Sequence, residues 1–226
     1  MNQNANRRDF IWGALAAAVA GICATSPAVA QNTLAASKTA PGQTIVVVGD
    51  SLSAEYGLVR GTGWVALLEK RLATEKIKAS VVNASVSGDT TAGGRSRLGA
   101  LLAQHRPSVV VIELGGNDAL RGLALKNTEE NLASMTQTAQ KAGAKVLLVG
   151  MQVPPNYGSD YARKFAGVFD AVAQQNRAAL VPFFLQGIAD GPDPTAMFQA
   201  DRIHPRAQAH PQMLDNVWPA LQKLLR

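Results

Sequence analysis

The sequence predicts an α/β protein, a parallel sheet with helices on both faces, and three observations carry that prediction. Near-continuous apolar runs rich in β-branched residues recur along the chain. Stretches with helical apolar spacing separate them. Small and polar residues cluster directly after the apolar runs. Runs that are continuous rather than alternating imply strands covered on both faces. Regular strand–helix alternation brings each strand back parallel to the one before.

In chain order, the first thirty residues are set apart. Arg7 and Arg8 precede an apolar stretch from Phe10 to Ala24, and Ala28-Val29-Ala30 closes it. That is the order of a cleavable export signal over residues 1–30. The paired arginines fit either a twin-arginine or an ordinary secretory signal. The apolar stretch is short for a membrane span, so no integral span is expected in the mature chain. Cys23 follows Ile22, which is not small, so no lipid anchor is expected. Cleavage removes Arg7, Arg8 and Asp9 together with the sole cysteine, and leaves +5 of the net +6. Residues 31–43 are small and polar, a flexible leader, and residues 44–226 form one domain.

Five strands are expected, at 44–48, 79–82, 108–114, 144–150 and 179–184. Pro182 places the last at an edge or a strand end. Between the first two, Trp64, Leu67, Leu68 and Leu72 share a helical face. A helix over 127–143 has Asn127 as its cap, Leu132, Met135 and Ala139 as its buried face, and Gly143 as its stop. A further helical pattern runs over 161–176, and another closes the chain with Pro219 as a bend. No internal repeat and no second-domain boundary is visible.

In such a sheet, ligands gather outside the carboxyl ends of the strands. Four loops at that end are small or polar: Gly49-Asp50-Ser51, Ser87-Gly88-Asp89, Gly115-Gly116-Asn117-Asp118 and the "MQVPPNYG" stretch. A hydroxyl nucleophile needs a base and a group that orients the base. Of the three histidines, His105 precedes the third strand and so lies at the opposite end, while His204 and His210 follow the last strand. Asp201 stands three residues before His204, within reach in a tight turn. Read alone, Ser51 is either a helix cap or a nucleophile. Read alone, the "GGND" turn is either an ordinary glycine turn, with Asp118 capping the next helix, or a donor site for a developing oxyanion.

Other chemistries fit less well. The basic residues are interspersed with acidic ones, as in "EKRLATEKIK", so nucleic-acid binding is not expected. No nucleotide fingerprint and no metal-ligand spacing occurs, so no cofactor or metal is expected. The G-x-S-x-G elbow is not met, because Ser53 occupies its second glycine.

"GDSLS", "SVSGDT", "GGND" and "DRIHP", in that order, resemble the SGNH (GDSL) hydrolase family. "GDSLSAEYG", "VNASVSGDTTAGG", "ELGGNDALRG" and "VPPNYG" are similar to its periplasmic acyl-CoA thioesterase, lysophospholipase and arylesterase branch. The resemblance implies a three-layer α/β/α, flavodoxin-like fold with a five-stranded parallel sheet. It implies Ser51, His204 and Asp201 as a triad, and Ser51, Gly88 and Asn117 as the oxyanion hole. Leu120, Leu123, Pro155 and Tyr157 are the expected acyl-pocket residues, with Gly122 as a hinge. The expected substrates are acyl esters, small or lipid, hydrolysed by a monomer without a metal. The rival readings are a carbohydrate or peptidoglycan O-deacetylase and a non-catalytic binding module of the same fold. With Ser51 so assigned, any capping in its stretch falls to Ser53.

Overall fold

The computed structural model describes residues 42–191 and 193–226. The signal at 1–30 and the leader up to residue 41 lie outside the described residues. Five parallel strands form one sheet, ordered β2-β1-β3-β4-β5. They are β1 (Gln43–Gly49), β2 (Ala79–Asn83), β3 (Val109–Glu113), β4 (Lys145–Val149) and β5 (Ala179–Val181). The chain steps outward from β1 to β2, then crosses back to β3 on the other side. The switch point of this doubly wound order is therefore between β1 and β3.

Helices α1 (Trp64–Thr74) and α6 (His210–Leu224) pack together, and α2 (Thr91–His105), α4 (Leu125–Lys141) and α5 (Ser159–Asn176) form a second group. A short helix, α3 (Gly116–Leu120), follows β3. Between the layers, Ile45 to Val48, Val109 to Ile112 and Leu147 to Val149 are sealed from solvent. Among the described residues, no helix is long and apolar enough to cross a membrane.

The structure corrects several local expectations. Gln43 belongs to β1 rather than to the leader, pairing with Ala79 and donating from its side chain to the Leu225 carbonyl at 2.8 Å. Strand β2 is not covered on both faces, since it lies at the edge and exposes Ser80 and Asn83. Asn127 does not cap α4. That helix begins at Leu125, so Asn127 falls inside its first turn. Its expected buried face, Leu132, Met135 and Ala139, is in place. Pro219 stands inside α6.

Helix α2 was not expected from the sequence, because Gly93, Gly94 and Gly99 dilute its apolar pattern. One of these glycines has a packing reason. A Cβ on Gly94 would sit 2.3 Å from Leu114 Cδ1, so only glycine lets α2 approach the sheet this closely.

Candidate active site

The loops after β1 and β3 flank the switch point, and the site is assembled there. After β1, the Asp50 carboxylate accepts the Leu52 N–H at 3.0 Å, and the Asp50 carbonyl accepts from Ser53 and Ala54. This side-chain-closed turn holds Ser51 above the strand end. Ser53 caps no helix. It is buried, donates to Glu113 Oε2 at 2.7 Å, and accepts the Trp64 indole N–H at 3.1 Å.

The second part comes from the hairpin before α6. Phe198 bridges Pro205, and Gln199 N–H donates to the His204 carbonyl at 2.8 Å. Inside this closed turn, Asp201 Oδ1 accepts the N–H groups of Ile203 and His204, at 2.9 and 3.0 Å. Asp201 Oδ2 stands 2.7 Å from His204 Nδ1, and His204 Nε2 stands 2.9 Å from Ser51 Oγ. The His204 backbone N–H foremost, with its ring and the Ile203 N–H, pulls the Asp201 carboxyl down to about 2. A carboxylate that is ionised can only accept, so His204 Nδ1 carries the proton and Nε2 presents its lone pair to Ser51. Tyr56, half exposed, lays its ring over the imidazole with centroids 4.2 Å apart.

His210 takes no part in this line. It is buried, and its Nδ1 accepts the Trp64 N–H at 3.0 Å, which satisfies an orphan donor at the start of α1. Burial pushes its imidazole down from the ordinary value. Asp215, its nearest acidic neighbour in sequence, pairs with Arg71 at 2.7 Å instead.

Asn117 lies in the first turn of α3 and donates from Nδ2 to Asp50 Oδ2 at 3.0 Å. Gly88 takes φ +78° and turns its carbonyl to the Arg121 guanidinium at 2.7 Å. Among the described residues, neither the Ser51 nor the Gly88 backbone N–H has a protein acceptor. Asp118 does not cap the next helix; it lies within α3 and serves the start of the earlier helix α2, whose N-cap is Thr90. Its carboxylate accepts the Thr91 N–H at 2.9 Å and the Thr91 hydroxyl at 2.5 Å.

Leu120 and Leu123 flank the turn after α3, 48% and 40% exposed, with Gly122 at φ +65° between them. Pro155 opens the short turn Pro155–Tyr157, and the Tyr157 ring stacks on Tyr161 at 6.0 Å.

Beneath Ser51 lies a feature that the motifs did not single out. Asp50 and Glu113 are 3% and 2% exposed, and the Asp50 N–H approaches Glu113 Oε2 at 3.4 Å. Burial pushes Asp50 up to about 6, against pulls from the Leu52 N–H, Asn117 and His204. Burial first, then the charge of Asp50, pushes Glu113 well above the usual carboxylate range. Two such groups do not both ionise readily at close range, so the upward push on Glu113 favours its neutral form. One signal for it was available, a lone acid within the apolar run "VVVIEL".

Both shifts are upward, so their linkage has one sign. The folded state binds more protons than the unfolded state, and stability falls as pH rises through the shifted values. For Asp50 the window runs from 3.8 to about 6. Glutamine mimics a protonated glutamate, so Glu113→Gln is expected to fold and to flatten the decline in melting temperature between pH 5 and pH 8. Calorimetry of both proteins checks this, and an equally steep decline in the variant contradicts a neutral Glu113.

Fold and geometry together define a class, an α/β/α protein with a serine, an imidazole and a carboxylate in one hydrogen-bonded line at its switch point. Residues 47–211 match the GDSL-like Lipase/Acylhydrolase family. The chain belongs to that family, as its four motifs implied. It is 58% identical over 186 residues to the esterase TesA of Pseudomonas aeruginosa, covering 82% of this chain and 91% of that one. It is 39% identical over 188 residues to thioesterase 1/protease 1/lysophospholipase L1 of Escherichia coli K12, covering 83% and 88%. A crystal structure of TesA matches with a TM-score of 0.78 at 58% identity, over 80% of this chain and 99% of that one.

Proposed function

We propose that this chain is an exported serine hydrolase that cleaves acyl esters and thioesters, with Ser51 as nucleophile, His204 as base and Asp201 as its orienting group. The observation that carries the reading is the continuous line from Ser51 Oγ to His204 Nε2 and from His204 Nδ1 to Asp201 Oδ2, at 2.9 and 2.7 Å. His204 takes the hydroxyl proton as Ser51 Oγ attacks the acyl carbonyl. The negative charge on the carbonyl oxygen falls to the N–H groups of Ser51 and Gly88 and to the Asn117 amide. His204 then returns the proton to the leaving alcohol or thiol. Water, with His204 again as base, releases the acid and restores Ser51. Export follows from the signal over residues 1–30.

A fluorophosphonate reacts with an activated serine, so the purified mature protein should bind one equivalent. The label should map to the peptide that holds Ser51. Labelling elsewhere, or none with a folded protein, removes the reading. The same preparation should hydrolyse an aryl ester, an acyl-CoA and a lysophospholipid, and leave acetylated xylan untouched. Xylan deacetylation in preference to these would favour the carbohydrate reading, which wants an exposed aromatic platform. Trp64 and Trp218 are both buried and do not supply one.

The segments that carry Ser51, Gly88, Asn117 and His204 also carry exposed apolar side chains. Tyr56, Val86, Leu123 and Ile203 are exposed on loops that follow strands, and Leu120 is exposed at the end of α3. Exposed large apolar groups gathered at a site bind apolar ligand surface. Each buried methylene contributes about 0.8 kcal/mol. Across p-nitrophenyl esters from C2 to C16, kcat/KM is therefore expected to rise from C2 to a medium or long chain. A maximum at C2 would sink the acyl rim and leave Leu120, Leu123, Pro155 and Tyr157 without a substrate role.

A further inference from the structure

We propose that Tyr56 is a positioning residue of the base: the loop after β1 holds its ring face against His204, where it favours the imidazolium that forms as Ser51 gives up its proton. The inference rests on the role given above to His204.

The contact is close and partly dry. The two ring centroids lie 4.2 Å apart, with their planes 35° from parallel. The His204 side chain is 16% accessible, so little water competes with the ring. The face of a phenol ring is negative, and a cation within about 6 Å of its centroid is attracted to it. A neutral imidazole gains much less from the same face. The contact therefore strengthens once His204 holds the Ser51 proton, which is the condition for speeding the reaction rather than tightening binding. The charged groups that face the imidazole are Asp201 on its own hairpin, at 2.7 Å, and Asp50 on the turn after β1. Arg202 and Arg206 flank it in sequence and are exposed.

Tyr56 is half exposed, and a side chain on a loop keeps one position only when it is anchored. Its carbonyl accepts the Gln199 side-chain N–H2 at 3.0 Å, and the same nitrogen donates to the Pro205 carbonyl at 3.2 Å. One side chain thus ties Tyr56 to the hairpin that carries the base. Gly57 makes room for it. That glycine takes φ +70°, and a Cβ there would stand 2.2 Å from Gln199 Oε1. On the other side of Tyr56, Glu55 takes φ +58°, a left-handed conformation uncommon for glutamate. Its carboxylate closes the loop, accepting the Gly61 N–H at 3.0 Å and the Gly63 N–H at 2.8 Å. A residue held in such a conformation by its surroundings, beside an active site, marks a geometry that the fold maintains. Here that geometry sets the Tyr56 ring on the His204 imidazole.

Replacing Tyr56 with phenylalanine, and then with mono-, di- and trifluorinated phenylalanine, separates this role from packing. Each fluorine drains the negative face of the ring and leaves its shape nearly unchanged. On a p-nitrophenyl ester, kcat should fall stepwise along the fluorinated series, by about two- to fivefold in all, with KM nearly constant. Tyr56→Leu keeps apolar bulk without a ring face, and should lose as much as the trifluorinated protein. The fluorinated series keeps the ring and so covers the case in which Tyr56→Leu does not fold. A flat kcat across the series overturns the proposal, because a ring that only packs is indifferent to its charge distribution. A series in which KM rises while kcat holds overturns it as well, since the ring would then serve the substrate and not the base. Wild-type kcat in His204→Ala is a different failure, which removes the base itself.

Discussion

Ser51→Ala is expected to lower kcat/KM by about 10⁵- to 10⁶-fold while leaving the fold intact, as is usual when a nucleophile that acts as a unit with its base is deleted. The loss of activity follows from the line of hydrogen bonds. With Oγ gone, His204 Nε2 faces no proton to take, and the acyl group has no atom to attach to. The retained fold follows from what Ser51 does not hold. Its side chain bonds to His204 alone, at 2.9 Å, whereas the turn is closed by Asp50 through Leu52, Ser53 and Ala54. The residual rate should come from substrate binding and the oxyanion donors. Initial rates on a p-nitrophenyl ester, with melting curves of both proteins, measure this. A variant that keeps more than about 1% of wild-type activity at an unchanged melting temperature would show that Ser51 is not the nucleophile.

The sheet was legible because most of its strands are short, continuous apolar runs rich in β-branched residues, the pattern of a strand buried on both faces. Strand β2 differs for a physical reason. As an edge strand it needs fewer apolar residues, and Ser80 and Asn83 face solvent. Helix α2 was hidden because its glycines, of which Gly94 is needed for close packing against Leu114, erase the periodicity that marks a helix. Ser51, His204 and Asp201 were legible only as an ordered set. Each residue alone has a commoner structural use, as His210 and Asp118 illustrate by bonding N–H groups at helix starts. The buried layer below them was not legible as a unit. Asp50, Ser53, Trp64 and Glu113 come from three segments with no fixed spacing, and only the fold joins them. Sequence patterns report chain-local chemistry well. They report the support of a site poorly, because support is built from whichever side chains the fold brings underneath.

Asp201→Asn is expected to lower kcat by about 10³- to 10⁴-fold with little change in KM or melting temperature. The substitution keeps the shape of the side chain and inverts one of its ends. Asp201 Oδ1 accepts two backbone N–H groups, from Ile203 and His204, and the amide oxygen of asparagine can take over both. The hairpin therefore keeps its closure, and stability is spared. The other end changes sense. Where Oδ2 accepted from His204 Nδ1 at 2.7 Å, an N–H2 group now donates, so Nδ1 must become the acceptor and the proton moves to Nε2. Nε2–H then faces Ser51 Oγ, and a donor stands where the base was. The exposure of Asp201, whose side chain is 37% accessible, admits water and sets the lower bound of the expected range. Steady-state rates give the loss, and ¹⁵N shifts of the imidazole report the tautomer directly. If kcat stays within tenfold of wild type, Asp201 serves only to close its turn, and some other group fixes the base. If kcat falls but Nδ1 still carries the proton, the tautomer account fails and the lost negative charge is the cause.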